Sequence, residues 1–182
     1  MFAVPLGPDA ELRPLQPWQA AEFLANLDRA RDHIAPWVGA SFVATDIASA
    51  TAVLQGYADR TARDDGGIWG IWLDDVLVGG VMFVSFSTAT GSCEAGCWLE
   101  PGAQGRGLIV QAMQVLLAWA FEERGMNRVE WRTDAANVRS IATARRLGLS
   151  LDGTLRQALR SPDGAVDLEV WSILAQEWNA RT

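Results

Sequence analysis

Between Ile68 and Leu99 the chain reads as three β-rich runs in quick succession, "IWGIWL", "VLVGGVMFVSF" and "SCEAGCWLE", and this block limits the possible folds more than any other. Asp74 and Asp75 alone separate the first two runs, a connection that suits a tight antiparallel hairpin. Pro101 ends the third run, and the period then changes. "LIVQAMQVLLAWAFEERG" places Leu108, Ala112, Val115, Leu116, Trp119 and Ala120 on one side of a helix, with Gly125 as a natural stop. Because a further strand, "RVEWRT", follows that helix, the sheet needs a crossover and therefore a parallel pair among mostly antiparallel neighbours.

The flanking elements fit around this block. "AELRPL", Ala10 to Leu15, is a short first strand; Pro17 then opens a helix whose apolar stripe is Trp18, Ala21, Phe23, Leu24 and Leu27. Pro36 and Gly39 break the chain at "HIAPWVGAS", and Asp46 caps a second helix, "IASATAVLQGYADRTAR", that stops at "DDGG". Further on, "NVRSIATARRLG" is a helix closed by Gly148, and "SLDGTLRQAL" with "AVDLEVWSIL" forms a last hairpin around "RSPDG". The expectation is an α/β fold with a mixed, mostly antiparallel seven-stranded sheet and about four helices. At 182 residues and 49% hydrophobic content the chain suits one domain, 1-182, with its core over about 10-178.

Charge and cysteine content narrow the function classes. The net charge of -7, from 22 acidic and 15 basic residues, disfavours general binding to nucleic-acid backbones and suits a cationic partner such as an amine. No run approaches the roughly 18 uncharged apolar residues of a membrane helix. Pro5, Pro8, Asp9 and Glu11 interrupt any signal-like apolar centre, so a cytoplasmic protein without membrane partners is expected. Cys93 and Cys97 stand four apart with no second ligand pair and read as structural thiols, and the lone His33 cannot build a histidine metal site. Catalysis is therefore expected to run on organic groups or a bound cofactor, with no metal.

Two motifs carry the chemistry. In "LEPGAQGRGLIVQAM", Gly102, Gly105 and Gly107 fall between a strand and a helix; the run is either an ordinary turn or an anion site made of free backbone N–H groups at a helix start. It lacks the Lys-Ser/Thr of a Walker loop, and its antiparallel context is wrong for a dinucleotide fingerprint. In "NVRSIATARRLGL", Asn137 is placed to cap a helix and Ser140 lies one turn in, which is either plain capping or a ligand-facing helix end.

Together, in this order and spacing, the two motifs resemble the GCN5-related N-acetyltransferase (GNAT) superfamily, and more narrowly its RimJ/RimL-like ribosomal-protein N-terminal acetyltransferase branch. The superfamily's Q/R-x-x-G-x-G/A loop is matched by Gly102 to Gly107, with Gly102 in place of Gln or Arg. "CEAGCWLEPGAQGRGL" is similar to the branch's strand-and-loop signature, with Cys97 where tyrosine is common, and "NVRSIATARRLGL" to its later one, with Leu149 for phenylalanine. "HIAPW" resembles an element found between the first two helices, so the likeness runs from about Ala10 to Trp178.

The resemblance implies a splayed central parallel pair and acetyl-CoA as cosubstrate, bound along Trp98 and Leu99, by the amides of Gln104, Gly105, Arg106, Gly107 and Leu108, and beside Asn137 and Ser140. Arg139, Arg145 and Arg146 are weaker phosphate candidates. It implies acetyl transfer to a primary amine, with a protein N-terminus among the acceptors, and is compatible with a homodimer. The alternatives are a small amine, another acyl-CoA, or a CoA-binding module without turnover. Glu94 is the candidate base, or else a substrate anchor or an exposed strand carboxylate. Ser140 is the candidate acid at the thiolate, since Tyr57, the one tyrosine, lies in the second helix. His33 and Trp37 belong to the wall of the acceptor pocket or pack beneath the sheet, and Asp163 and Asp167 could meet a cationic acceptor.

Overall fold

A computed structural model describes residues 3-161 and 164-181. Its strands are β1 (Val4–Pro5), β2 (Ala10–Pro14), β3 (Gly67–Leu73), β4 (Val76–Ser87), β5 (Ser92–Leu99), β6 (Arg128–Asp134), β7 (Ser150–Ser161) and β8 (Gly164–Leu174). The helices are α1 (Ala20–Ile34), α2 (Ile47–Arg63), α3 (Leu108–Ala118), α4 (Val138–Arg146) and α5 (Ala175–Asn179). The strands pair in the order β1-β2-β3-β4-β5-β6-β8-β7, a mostly antiparallel α/β arrangement in which β5 and β6 are parallel.

The expected class holds, with eight strands instead of seven and five α-helices instead of about four among the described residues. The extra strand β1 is a two-residue pairing of Val4 and Pro5 with Leu12 and Glu11; its proline is tolerated because the strand lies at a sheet edge. The extra helix α5 is five residues long, too short for a periodic signal. Two boundaries also differ. Pro17–Gln19 is a 3-10 turn ahead of α1, and the last turn after α3, Trp119–Glu123, widens to a π-helix before Gly125 (φ 62°).

The chain forms two compact units, Met1–Phe83 with Cys97–Ala112 and Val84–Gly96 with Met113–Thr182; β4, β5 and α3 run from one to the other. In the first unit, β3 and β4 make the expected hairpin, Leu73 opposite Val76, around Asp74 and Asp75. Both aspartates are left-handed (φ 48° and 61°), the type I′ geometry that matches strand twist. Helix α1 buries Phe23, Leu27, Ala30 and Ile34 at helical spacing. Of the expected stripe Phe23 and Leu27 hold, while Trp18 is 79% exposed and Ala21 is exposed, and the polar Asn26 is fully buried. Asp46 caps α2 as expected, accepting from the Ser49 amide at 2.7 Å.

In the second unit the parallel ladder joins Ser92–Ala95 to Arg128–Trp131, and β6 continues past it to Asp134. β8 pairs with β6 on one side and with β7 on the other. The β7 partner bulges between Leu155 and Leu159, where Gln157 is left-handed (φ 51°). Among the described residues no helix is long and apolar enough to cross a membrane.

Candidate active site

The glycine loop lies in the first unit. After β5, Pro101–Ala103 forms a 3-10 turn, and Gly105 and Gly107 are left-handed, with φ of 78° and 74°. A side chain at either would be strained whatever the space, so these two glycines are required by the backbone. A Cβ on Gly105 would touch nothing within 4 Å, which leaves that face of the loop open. The Gln111 amide closes the first helical bond, to Gly107 O at 3.0 Å. The amides of Leu108, Ile109 and Val110 therefore precede the ladder and point out of the positive end of α3. With exposed Arg106 beside them, these donors suit a phosphate-bearing ligand. Gly102 is not left-handed and stays a plain loop residue.

Polar contacts within the same unit fix the start of the loop. Trp98 is buried; its indole N–H donates to Asn26 Oδ1 at 2.8 Å, and its ring meets Phe23 and Phe42 edge-on. Asn26 Nδ2 donates to Glu100 Oε2 at 2.9 Å, and Arg29 Nε donates to the same oxygen at 2.8 Å. At the far end of the turn the Gln104 side-chain Nε2 hydrogen-bonds His33 Nε2 at 2.6 Å. Sequence reasoning missed Asn26, Arg29 and Glu100. The readable signal was Asn26, a polar residue three and four positions from Phe23 and Ala30 on the buried face of α1. Trp37 does not pack beneath the sheet: it is 45% exposed, in the turn that follows α1.

The second unit holds the other candidates. Glu94 on β5 stands opposite Glu130 on β6, and Arg132 Nε is 3.7 Å from Glu94 Oε2 while bonding Glu130 Oε2 through both Nε and Nη2. Burial pushes the Glu94 carboxyl above its ordinary value; Arg132 opposes that shift and Glu130 adds to it. Glu130 is itself held below its ordinary value: burial would raise it, and the bonds from Arg128 and Arg132 outweigh burial. Arg128 continues the row to Asp152 and Ser172. Glu94 thus ends a line of alternating charge that crosses β6 toward β7.

Asn137 caps α4, its Oδ1 accepting from the Ser140 amide at 3.1 Å. Ser140 Oγ accepts the Trp131 indole N–H at 2.8 Å, which leaves its own proton for a further acceptor and makes that proton a better donor. Of the weaker candidates, Arg145 stacks on Trp171, and Asp167 Oδ1 accepts from the Gln157 amide at the β7 bulge. Asp163 lies outside the described residues. Both cysteines are free, and burial pushes each thiol up to about 12.

Comparison with known proteins places these features in a family context. The profile described as the acetyltransferase (GNAT) domain matches residues 10-150. YdaF of Bacillus subtilis (strain 168), named as a candidate ribosomal N-acetyltransferase, is 25% identical over 182 residues, covering 98% of each chain. The ribosomal-protein-serine acetyltransferase of Escherichia coli (strain K12) is 29% identical over 102 residues, 56% of this chain and 57% of its own. Among solved structures, the RimL ribosomal L7/L12 alpha-N-protein acetyltransferase in complex with coenzyme A matches with a TM-score of 0.90 at 18% identity. It covers 96% of this chain and 99% of that one, a likeness of fold.

Proposed function

This chain belongs to the acetyltransferase (GNAT) domain family, and on that premise we propose that it transfers the acetyl group of acetyl-CoA to a primary amine, the N-terminus of a protein. The observation that carries the reading is the loop of left-handed Gly105 and Gly107 opening onto the unladdered amides of α3, a site for the CoA pyrophosphate. The names of the relatives, ribosomal N-acetyltransferase and ribosomal-protein-serine acetyltransferase, favour a ribosomal protein as the acceptor.

The chemistry assigns roles to this chain's residues. An α-amino group, with a pKa of about 8, must lose a proton before it attacks the thioester carbonyl. Glu94 takes that proton through a water molecule, and its raised pKa makes it a better base than an ordinary surface carboxylate. Attack forms the C–N bond and leaves a second proton on nitrogen; collapse breaks the C–S bond as Ser140 Oγ–H gives its proton to the departing thiolate, and the nitrogen's second proton restores the Ser140 hydroxyl, so that amide, free thiol and protonated Glu94 result. Trp131 holds Ser140 in the rotamer that keeps this proton available. Arg106 and the loop amides hold the phosphates, and Asn137 orients the start of α4.

Titration calorimetry with acetyl-CoA, followed by thiol-release assays on ribosomal-protein N-terminal peptides and small amines, tests the reading. Saturable binding and release with peptides are expected. Release with small amines alone would move the acceptor class. Binding without release from any acceptor, unaffected by Glu94→Gln or Ser140→Ala, would leave a CoA-binding module, and absence of binding would overturn the proposal.

A further inference from the structure

We propose that one face of α1, formed by Asn26, Arg29 and His33, is a clamp that positions the glycine loop for its ligand; His33 serves the cofactor side of the reaction and not the acceptor pocket. The inference rests on the reading of that loop as the CoA phosphate site.

The three residues are spaced by three and four, so they project from one side of the helix. Their contacts fall on the two ends of one short segment. Asn26 and Arg29 both donate to Glu100 Oε2 ahead of the 3-10 turn, and after it the Gln104 side chain hydrogen-bonds His33 Nε2 through its own Nε2. Arg29 also donates to Leu77 O at 2.6 Å, tying β4 into the same clamp. Between the anchored ends the turn closes on itself, with the Ala103 amide on Glu100 O and the Gln104 amide on Pro101 O, both at 3.2 Å, and Ala103 is buried. The conformationally open part of the loop is thereby reduced to Gly105, Arg106 and Gly107, between the clamp and the first turn of α3.

The consequence is energetic. Fixing a backbone residue costs conformational entropy, and a loop that is ordered only when the ligand arrives loses that from its affinity. The clamp orders Glu100 to Gln104 in advance. Charge matters as well: Glu100 is a carboxylate next to an anion site, and the Arg29 guanidinium on it offsets the repulsion a phosphate would meet.

His33 is partly exposed, so it carries the test. His33→Ala is expected to weaken CoA binding by roughly 3- to 10-fold, the range of one lost hydrogen bond, with an unchanged melting temperature. His33→Gln, which keeps an acceptor for the Gln104 N–H, is expected to restore binding. In a Gln104→Ala background the His33→Ala change should have no further effect. In the ligand-free protein, His33→Ala should speed hydrogen exchange at the amides of residues 104-108. Wild-type CoA affinity in His33→Ala, or the same loss with and without Gln104, would overturn the clamp. If the unsubstituted protein binds no CoA, the functional reading falls, and the exchange measurement still decides whether the clamp orders the loop.

Discussion

Replacing Gly80 by alanine tests the packing that holds β4 against the end of β5. A Cβ built on Gly80 stands 2.1 Å from Trp98 Cη2, 2.5 Å from Trp98 Cζ3 and 2.3 Å from the Trp69 carbonyl oxygen. Neither neighbour can retreat. The Trp98 ring is enclosed by Phe23 and Phe42 and tethered through its indole N–H to Asn26, and Trp69 O belongs to the β3 backbone beside the Gly70–Gly80 pair. Overpacking a core ordinarily costs about 1–3 kcal/mol, and two simultaneous clashes, one of them with backbone, put Gly80→Ala at the upper end, about 3 kcal/mol. In a chain of this length that is a fall in melting temperature of roughly 6–12 °C. Scanning calorimetry gives the measurement, and a second variant separates the two clashes. Trp98→Phe removes the ring atoms that the new methyl meets, so Gly80→Ala should cost less in that background, with the residue of the penalty coming from Trp69 O. Gly80→Ala with wild-type stability, or strictly additive losses in the double variant, would refute the close approach.

Other expectations concern charge and burial. Glu94→Gln should lower kcat, and wild-type kcat/KM should fall on the acid side as Glu94 protonates, with a midpoint above the ordinary carboxylate range because burial dominates. Arg132→Met should move that midpoint further up, since it removes the cation and leaves Glu130 facing Glu94; an unmoved limb would remove Glu94 from the base role. The carboxyls of Glu130 and Asp152 are held low by Arg128, so their stabilisation is complete above the unfolded carboxylate range and is lost as pH falls through their folded values. Acid titration followed by circular dichroism should accordingly show a shallower pH dependence in Arg128→Met. With its thiol pushed up to about 12 and its side chain buried, Cys93 should resist a thiol reagent at mildly alkaline pH until the protein is unfolded; rapid labelling of Cys93 in the folded protein would contradict its burial.

The parts legible in the sequence are those whose cause is local. The β3–β4 turn is written in Asp74 and Asp75, the α2 cap in Asp46, and the loop in Gly105 and Gly107, where a positive φ excludes other side chains. The parallel pair followed from a helix standing between two strands. What was not legible depends on partners distant in the chain. On α1, Phe23 and Leu27 were legible, whereas Trp18 and Ala21 satisfy a helical spacing yet lie exposed, because only the tertiary environment decides which side faces inward. Arg29 meets Glu100 across 71 positions, and Arg128 meets Asp152 across 24, pairings that no window of sequence contains. Strand β1 was hidden by its own proline. For Ser140 the helix position was legible, but its bond to the Trp131 indole, which fixes where the hydroxyl proton can go, comes from packing.

Asn26 shows how a buried polar residue can serve the loop better than an apolar one. On a face shared with Phe23, Leu27 and Ala30, a leucine at this position would bury more apolar surface. It would also leave the Trp98 indole N–H without its acceptor and remove one of the two donors on Glu100 Oε2. The orphaned indole N–H costs about 1–3 kcal/mol, enough to cancel the apolar gain, so the single exchange is unfavourable even where exchanging the whole network for hydrocarbon would be neutral. An all-apolar version would still hold β5 against α1, but only by contact area, which tolerates sliding. Hydrogen bonds of 2.8–2.9 Å onto one carboxylate oxygen fix Glu100 in position as well as in depth. A loop that must present backbone amides to an anion a few residues later needs that positional constraint, which the polar network supplies and an apolar contact would not.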